Sequence, residues 1–132
     1  MKKRLLYLIL PVITLILEML PYGAVCNFAN PDGESLRKTF SYFDLTPFGY
    51  ANISPLITAV ITCLIFILIV VYCIKGNVRT VIKAKNILFV AVATSLGSLF
   101  FGISYFSLVG GLITLSLVAE LLLLQFSLKK LN

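Results

Sequence analysis

The sequence predicts an all-α membrane protein: a four-helix transmembrane bundle with one 33-residue extracytoplasmic loop between its first and second helices. Three observations predict it. Hydrophobic residues make up 60% of the 132 residues and charged residues 12%, about half the ~25% usual in a soluble domain. A soluble core of this size cannot hide that much apolar surface. The apolar residues fall into four runs separated by polar or basic segments, and a run of about 20 is what a hydrocarbon layer about 30 Å thick requires. The basic residues are one-sided. Lys2, Lys3 and Arg4, then Lys75, Arg79, Lys83 and Lys85, then Lys129 and Lys130 account for nine of the eleven, and a four-span arrangement puts all nine on one side. Only Arg37 and Lys38 remain for the other. That is the positive-inside pattern. It places both termini in the cytoplasm of a multi-pass plasma (inner) membrane protein, and it accounts for the net charge of +6 without a nucleic-acid partner.

The whole chain reads as one integral membrane domain, with spans at about 5–21, 55–74, 87–106 and 112–128. Residues 22–54 form the outer loop and residues 75–86 the cytoplasmic loop. The first run resembles a secretory signal in outline, but Glu18 interrupts its apolar core and the small-x-small rule is poorly met around Gly23 to Cys26. A retained helix is expected. Leu5 to Leu20 covers about 24 Å at the helical rise, so the helix either continues past Pro21 toward Phe28 with a kink or lies where the membrane is thin.

In the loop, Asn30-Pro31-Asp32-Gly33 is turn chemistry. Glu34 to Lys38 reads as a short helix capped by Asp32, and Thr39 to Leu45 as a short strand. Phe40, Tyr42, Phe43, Phe48 and Tyr50 cluster within eleven residues. They fit an interfacial aromatic belt or a partner-binding surface, since aromatics dominate binding hot spots. Asn52-Ile53-Ser54 matches a glycosylation pattern but is followed by Pro55.

Pro55 to Ile74 carries no charge and is the clearest span. Val78 to Asn86 is short and basic, a topology-setting loop able to lie on an anionic leaflet. The third span places small residues on one face, Thr94, Ser98 and Gly102 with Ala93 and Gly97 beside them, which in lipid is a helix-packing surface. Ser107 to Gly111 reads as a tight turn before the fourth span.

Cys63 and Cys73 are about 15 Å apart along one helix and cannot pair with each other. With Cys26 they read as small buried hydrophobes. The chain has no histidine, no Cys-x-x-Cys spacing, no Gly-rich phosphate loop and no nucleophile beside a base. No enzymatic activity, metal or cofactor is expected.

Glu18 and Glu120 are the exception to the apolar spans. A charge at the bilayer centre costs about 3 kcal/mol on insertion scales, so such residues face other helices and are functional candidates. Their depths bring them near one another if their helices are neighbours. With no basic residue at that level, at least one is expected to hold a proton at neutral pH. Thr14, Thr114, Ser116 and Gln125 are candidate polar neighbours along a proton or cation path.

The wording LPYGAVCNFANPDGE followed by FSYFDLTPFGYANISPLITA resembles small bacterial four-span membrane proteins, which implies a topology and no activity. A first-helix acid in a small four-span protein is similar to the small multidrug resistance transporters. Carried to this chain, that resemblance implies proton exchange for a cation at Glu18, although those proteins lack a long outer segment. The order of helix, long outer loop and three further helices resembles claudin-type tetraspans, which implies contact through the loop. Their tryptophan-bearing motif and cysteine pair are absent.

The function expected first is thus non-enzymatic: an accessory or assembly subunit in the lipid bilayer, binding a membrane-protein partner or a second copy of itself through the loop. The alternative is a small proton- or cation-coupled transporter using Glu18 and Glu120.

Overall fold

The computed structural model describes residues 2–50 and 52–131. They are mostly helical. Three helices are long and apolar enough to cross a membrane: Ser54–Lys75, Val78–Phe101 and Leu108–Lys130, with mean hydropathies of 3.0, 1.6 and 2.0. The chain is a membrane protein on that ground. It is not all-α, however. The loop holds a two-stranded antiparallel sheet.

The N-terminal helical segment is built of α1 (Lys2–Leu5), a 3₁₀ turn (Leu6–Leu8) and α2 (Ile9–Met19). It does not continue past Pro21 as a kinked helix. The residue before a proline is pushed out of the helical region, and Leu20 is extended at φ −66° and ψ 139°. The chain then enters β1 (Ala24–Ala29), turns, and returns as β2 (Ser35–Phe40), with Ala24 opposite Phe40 and Ala29 opposite Ser35. The turn is the one its residues demand. Gly33 N–H donates to the Asn30 carbonyl at 3.0 Å, Pro31 follows Asn30, and Gly33 takes φ +83°, which suits only a residue without Cβ.

This hairpin replaces the short helix expected over Glu34 to Lys38. A five-residue helix exposed on all sides nucleates poorly, whereas pairing against β1 satisfies the same backbone groups along a full ladder. Only Thr39 and Phe40 of the strand expected over Thr39 to Leu45 are in a strand. Leu45 instead opens α3 (Leu45–Gly49), with Asp44 as its N-cap accepting from Thr46 N–H at 2.8 Å. Asp44 lies outside the spans, and these hydrogen bonds hold its carboxyl below the usual range.

α4 (Ser54–Lys75) starts with Pro55 in its first turn and ends on Gly76, whose φ of +68° makes the left-handed cap. The connection expected over 75–86 shrinks to Gly76 and Asn77. Asn77 caps α5 (Val78–Ser95) by accepting from Arg79 N–H at 3.0 Å, so Lys83 and Lys85 ride on the first turns of a helix. A 3₁₀ turn (Gly97–Phe101) prolongs α5, and a second one (Ile103–Tyr105) follows Gly102 at φ +119°.

The turn expected over Ser107 to Gly111 therefore lies earlier in the chain. α6 (Leu108–Leu131) begins directly after Ser107, which acts as its cap: the Ser107 hydroxyl accepts from Gly110 N–H at 2.8 Å and donates to the Gly23 carbonyl at 2.6 Å. Gly110 and Gly111 are inside the helix, where Gly110 permits close approach of the Tyr42 hydroxyl. Ser107 is buried and bonds on both sides. Ser107→Ala is expected to lower stability by about 1–3 kcal/mol, measured as a lower midpoint of thermal unfolding in mild detergent.

α2 packs on α4 and on α6, and α5 packs on the same two helices. At one end the hairpin is tied down. Ala24 bridges Phe106, and the Arg37 guanidinium donates to the carbonyls of Ser104 (3.3 Å) and Phe106 (3.4 Å). At the other end Arg4 lies over the Tyr72 ring, 5.8 Å from its centroid, and Tyr7 meets Tyr72 edge to face.

Candidate functional site

Buried positions recur at steps of three and four on each helix, as one face of a helix requires. On α2 they are Pro11, Thr14 and Glu18. On α4, Thr58 and Thr62 precede Ile65, Ile69 and Tyr72. On α5 the buried residues run from Val81 through Leu88 to Ser95. The chain directions make the core two-part. Toward the basic end it is aliphatic, filled by Ile65, Ile69, Val81, Leu88 and Leu124. Toward the hairpin it is polar, with Thr14, Glu18, Thr58, Thr62, Ser95 and Ser98 all buried.

Glu18 and Glu120 lie in this interior, 0% and 1% exposed. Glu18 is on α2 and Glu120 on α6, two helices that pack against each other. Glu18 Oε1 accepts from the Thr62 hydroxyl at 2.8 Å. Among the described residues, Glu18 Oε2 and both oxygens of Glu120 have no hydrogen-bond partner. Buried polar groups are nearly always paired, and an ionised carboxylate without a partner is among the costliest groups to bury. Three such oxygens are buried on the paired helices α2 and α6.

The surrounding hydroxyls already have partners. Thr14 and Ser116 share a hydrogen bond of 2.6 Å, with Thr14 also donating to the Leu10 carbonyl. Thr58 donates to Thr94 at 3.0 Å, and Thr114 to Ser95 at 3.1 Å. Ser98 donates to Asn52 Oδ1 at 3.2 Å, and Asn52 Nδ2 to the Val25 carbonyl at 3.1 Å. Of the candidate path residues, Thr14 and Ser116 lie on the face shared by α2 and α6, Thr114 faces α5, and Gln125 is exposed.

The loop aromatics separate into three groups. Tyr42 is 3% exposed and belongs to the core, so it is withdrawn from any recognition surface. Its backbone N–H donates to the Glu18 carbonyl at 2.9 Å, and its ring fills the space left by Gly23, where an added Cβ would stand 2.8 Å from the ring. Burial, with the nearby charge of Glu18, pushes its phenol up. Phe40 is partly buried against Phe28, which also meets Tyr50 edge to face at 4.8 Å. Phe43, Phe48 and Tyr50 are exposed.

The small-residue face divides similarly. Thr94 bonds Thr58, Ser98 bonds Asn52, and Gly97 lies against the Ser54 hydroxyl, all toward α4. Ala93 points outward and Gly102 is a turn residue.

Comparison with protein-family models, with curated proteins and with solved structures finds no match. Thr62, which bonds Glu18, is a site residue that the sequence does not single out. Ser54, Thr58 and Thr62 at steps of four mark one face of α4, but not which helix meets it.

Proposed function

We propose that the chain is a four-span bundle of a plasma (inner) membrane, with residues 5–21 as its first crossing and both termini cytoplasmic, and that it binds protons or small cations between Glu18 and Glu120 as a coupled transporter. The observation that carries the second part is the buried pair of acids with three unpartnered oxygens. An ionisable residue inside a span is a functional-site candidate by default, on ion and proton pathways among others. The fourth crossing is supported by the outward face of the N-terminal segment. Leu5, Leu6, Ile9, Val12, Ile13, Ile16 and Met19 are exposed there, a stripe that only lipid or another protein would cover. The polar half of the core favours entry from the hairpin side, below Tyr42.

The test is proton flux in vesicles holding purified protein. Wild type is expected to dissipate an imposed pH gradient in the presence of a coupling cation, and Glu18→Gln and Glu120→Gln to abolish that flux while leaving folding intact. Unchanged flux in both variants overturns the reading.

A second reading keeps the loop as a partner-binding surface of an accessory or assembly subunit. It is favoured by Phe43, Leu45, Phe48 and Tyr50, which are exposed together on and beside α3. Co-purification from native membrane of a stoichiometric second protein, lost in a Phe43→Ala/Phe48→Ala variant but kept in Glu18→Gln, would favour it over transport.

A further inference from the structure

We infer that the occupant of the acid pair is a proton rather than a metal cation, and that Thr62 is the positioning residue that registers whether Glu18 carries it. This rests on the reading of the pair as an ion site. The unpartnered, fully buried Glu120 side chain is the feature that points to an occupant beyond the two acids themselves.

The oxygen count decides between occupants. A hard metal cation is held by about six or more oxygens. Here three are free of protein partners: Glu18 Oε2 and the two of Glu120. The neighbouring hydroxyls are held by hydrogen bonds, Thr62 with Glu18 and Thr14 with Ser116, so none is turned toward Glu120. A proton needs one oxygen and one acceptor.

Thr62 supplies that acceptor. Its hydroxyl oxygen lies 2.8 Å from Glu18 Oε1 and 2.9 Å from the Thr58 carbonyl, and it has one hydrogen for two acceptors. When Glu18 is neutral, its O–H donates to Thr62 and Thr62 donates to the Thr58 carbonyl, so both bonds form. When Glu18 is ionised, the Thr62 hydrogen turns to the carboxylate and the bond to the carbonyl is given up. Proton binding thus resets a hydrogen bond on α4. The step is acid–base only: water delivers the proton, an O–H bond forms at the carboxyl, and release is the reverse. The titratable groups facing Glu18 are Glu120 from α6, Cys63 beside Thr62 on α4 and Tyr42 from the loop.

The experiment is infrared titration of the full chain in phosphatidylcholine–phosphatidylglycerol vesicles, following the carbonyl band of protonated carboxyls, with D₂O exchange for assignment. Besides the bands of the loop acids Asp32, Glu34 and Asp44 and of the chain terminus, wild type is expected to show two titrating components, one lost in Glu18→Gln and the other in Glu120→Gln. Thr62→Val should shift the Glu18 component in frequency and change its proton affinity about tenfold or more, the value of a hydrogen bond to a charged group. Thr62→Ser should restore both. Sodium or potassium should leave the midpoints unmoved. Displacement of the proton by either cation overturns the assignment of the occupant. A Glu18 component indifferent to Thr62→Val overturns the role of Thr62. Absence in wild type of any titrating carboxyl component that Glu18→Gln or Glu120→Gln removes overturns the ion site itself.

Discussion

Tyr42→Ala is expected to lower the stability of the protein by about 3–5 kcal/mol, the range for removing a buried aromatic ring from a packed interior. The ring is nearly inaccessible and is the point where the loop enters the helical core. Gly23 and Gly110 both face it. A Cβ at Gly23 would come within 2.8 Å of its Cδ1, and one at Gly110 within 3.2 Å of its hydroxyl oxygen, so the pocket is shaped by two residues without side chains. Alanine leaves a cavity that the β1–β2 hairpin and the start of α6 cannot collapse to fill, because the Ser107–Gly23 hydrogen bond and the Ala24–Phe106 bridge already fix their spacing. The measurement is thermal unfolding in mild detergent, with alkylation of Cys26 as the second readout. Cys26 is buried in β1, and burial with the nearby Asp44 charge pushes its thiol up, so it should react only when the hairpin opens. An effect within about 0.5 kcal/mol, as for a surface residue, would show that Tyr42 belongs to an exposed recognition face after all.

The second large effect is expected at Asn52. Its amide joins two parts of the chain far apart in sequence: Nδ2 donates to Val25 in β1, and Oδ1 accepts from Ser98 beyond α5. Asn52→Leu leaves a buried carbonyl and a buried hydroxyl without partners, each costing about 1–3 kcal/mol, for a loss on the order of 3 kcal/mol. Asn52→Asp keeps the acceptor but loses the donor, and is expected to fall between. The same unfolding assay reads both. Because Asn52 is 2% exposed, the glycosylation pattern beginning there is closed to modification in the folded protein. A wild-type protein carrying a glycan at Asn52 would contradict the burial.

Particular residues show where sequence reasoning reached and where it stopped. Glu18 and Glu120 are legible because a carboxyl in an apolar run stands out against its neighbours, while the packing of their helices α2 and α6 is not. Thr62 was not legible. A threonine in a span is unremarkable until the helix that faces it is known, and that helix comes from 44 residues away in sequence. The NPDG turn was read, yet its consequence was not: a turn says that the chain reverses, not that residues 24–29 and 35–40 will pair. Tyr42 and Phe43 are adjacent aromatics with the same local signal, and only one is buried.

Composition and patterning determined that this is a membrane protein with long apolar helices, that nine of its eleven basic residues lie outside the 22–54 loop, and that two acids break the pattern. Those are one-dimensional properties, set by how many apolar residues run together and how far apart the exceptions fall. The tertiary structure decided which polar residues meet. It put Tyr42 inside, paired Thr62 with Glu18, made Ser107 rather than the glycines begin α6, and closed the basic loop to two residues. The physical reason is that hydrogen-bond partners and close contacts depend on the rotation of each helix about its axis and on its neighbour, and neither is encoded in the local period of a single segment.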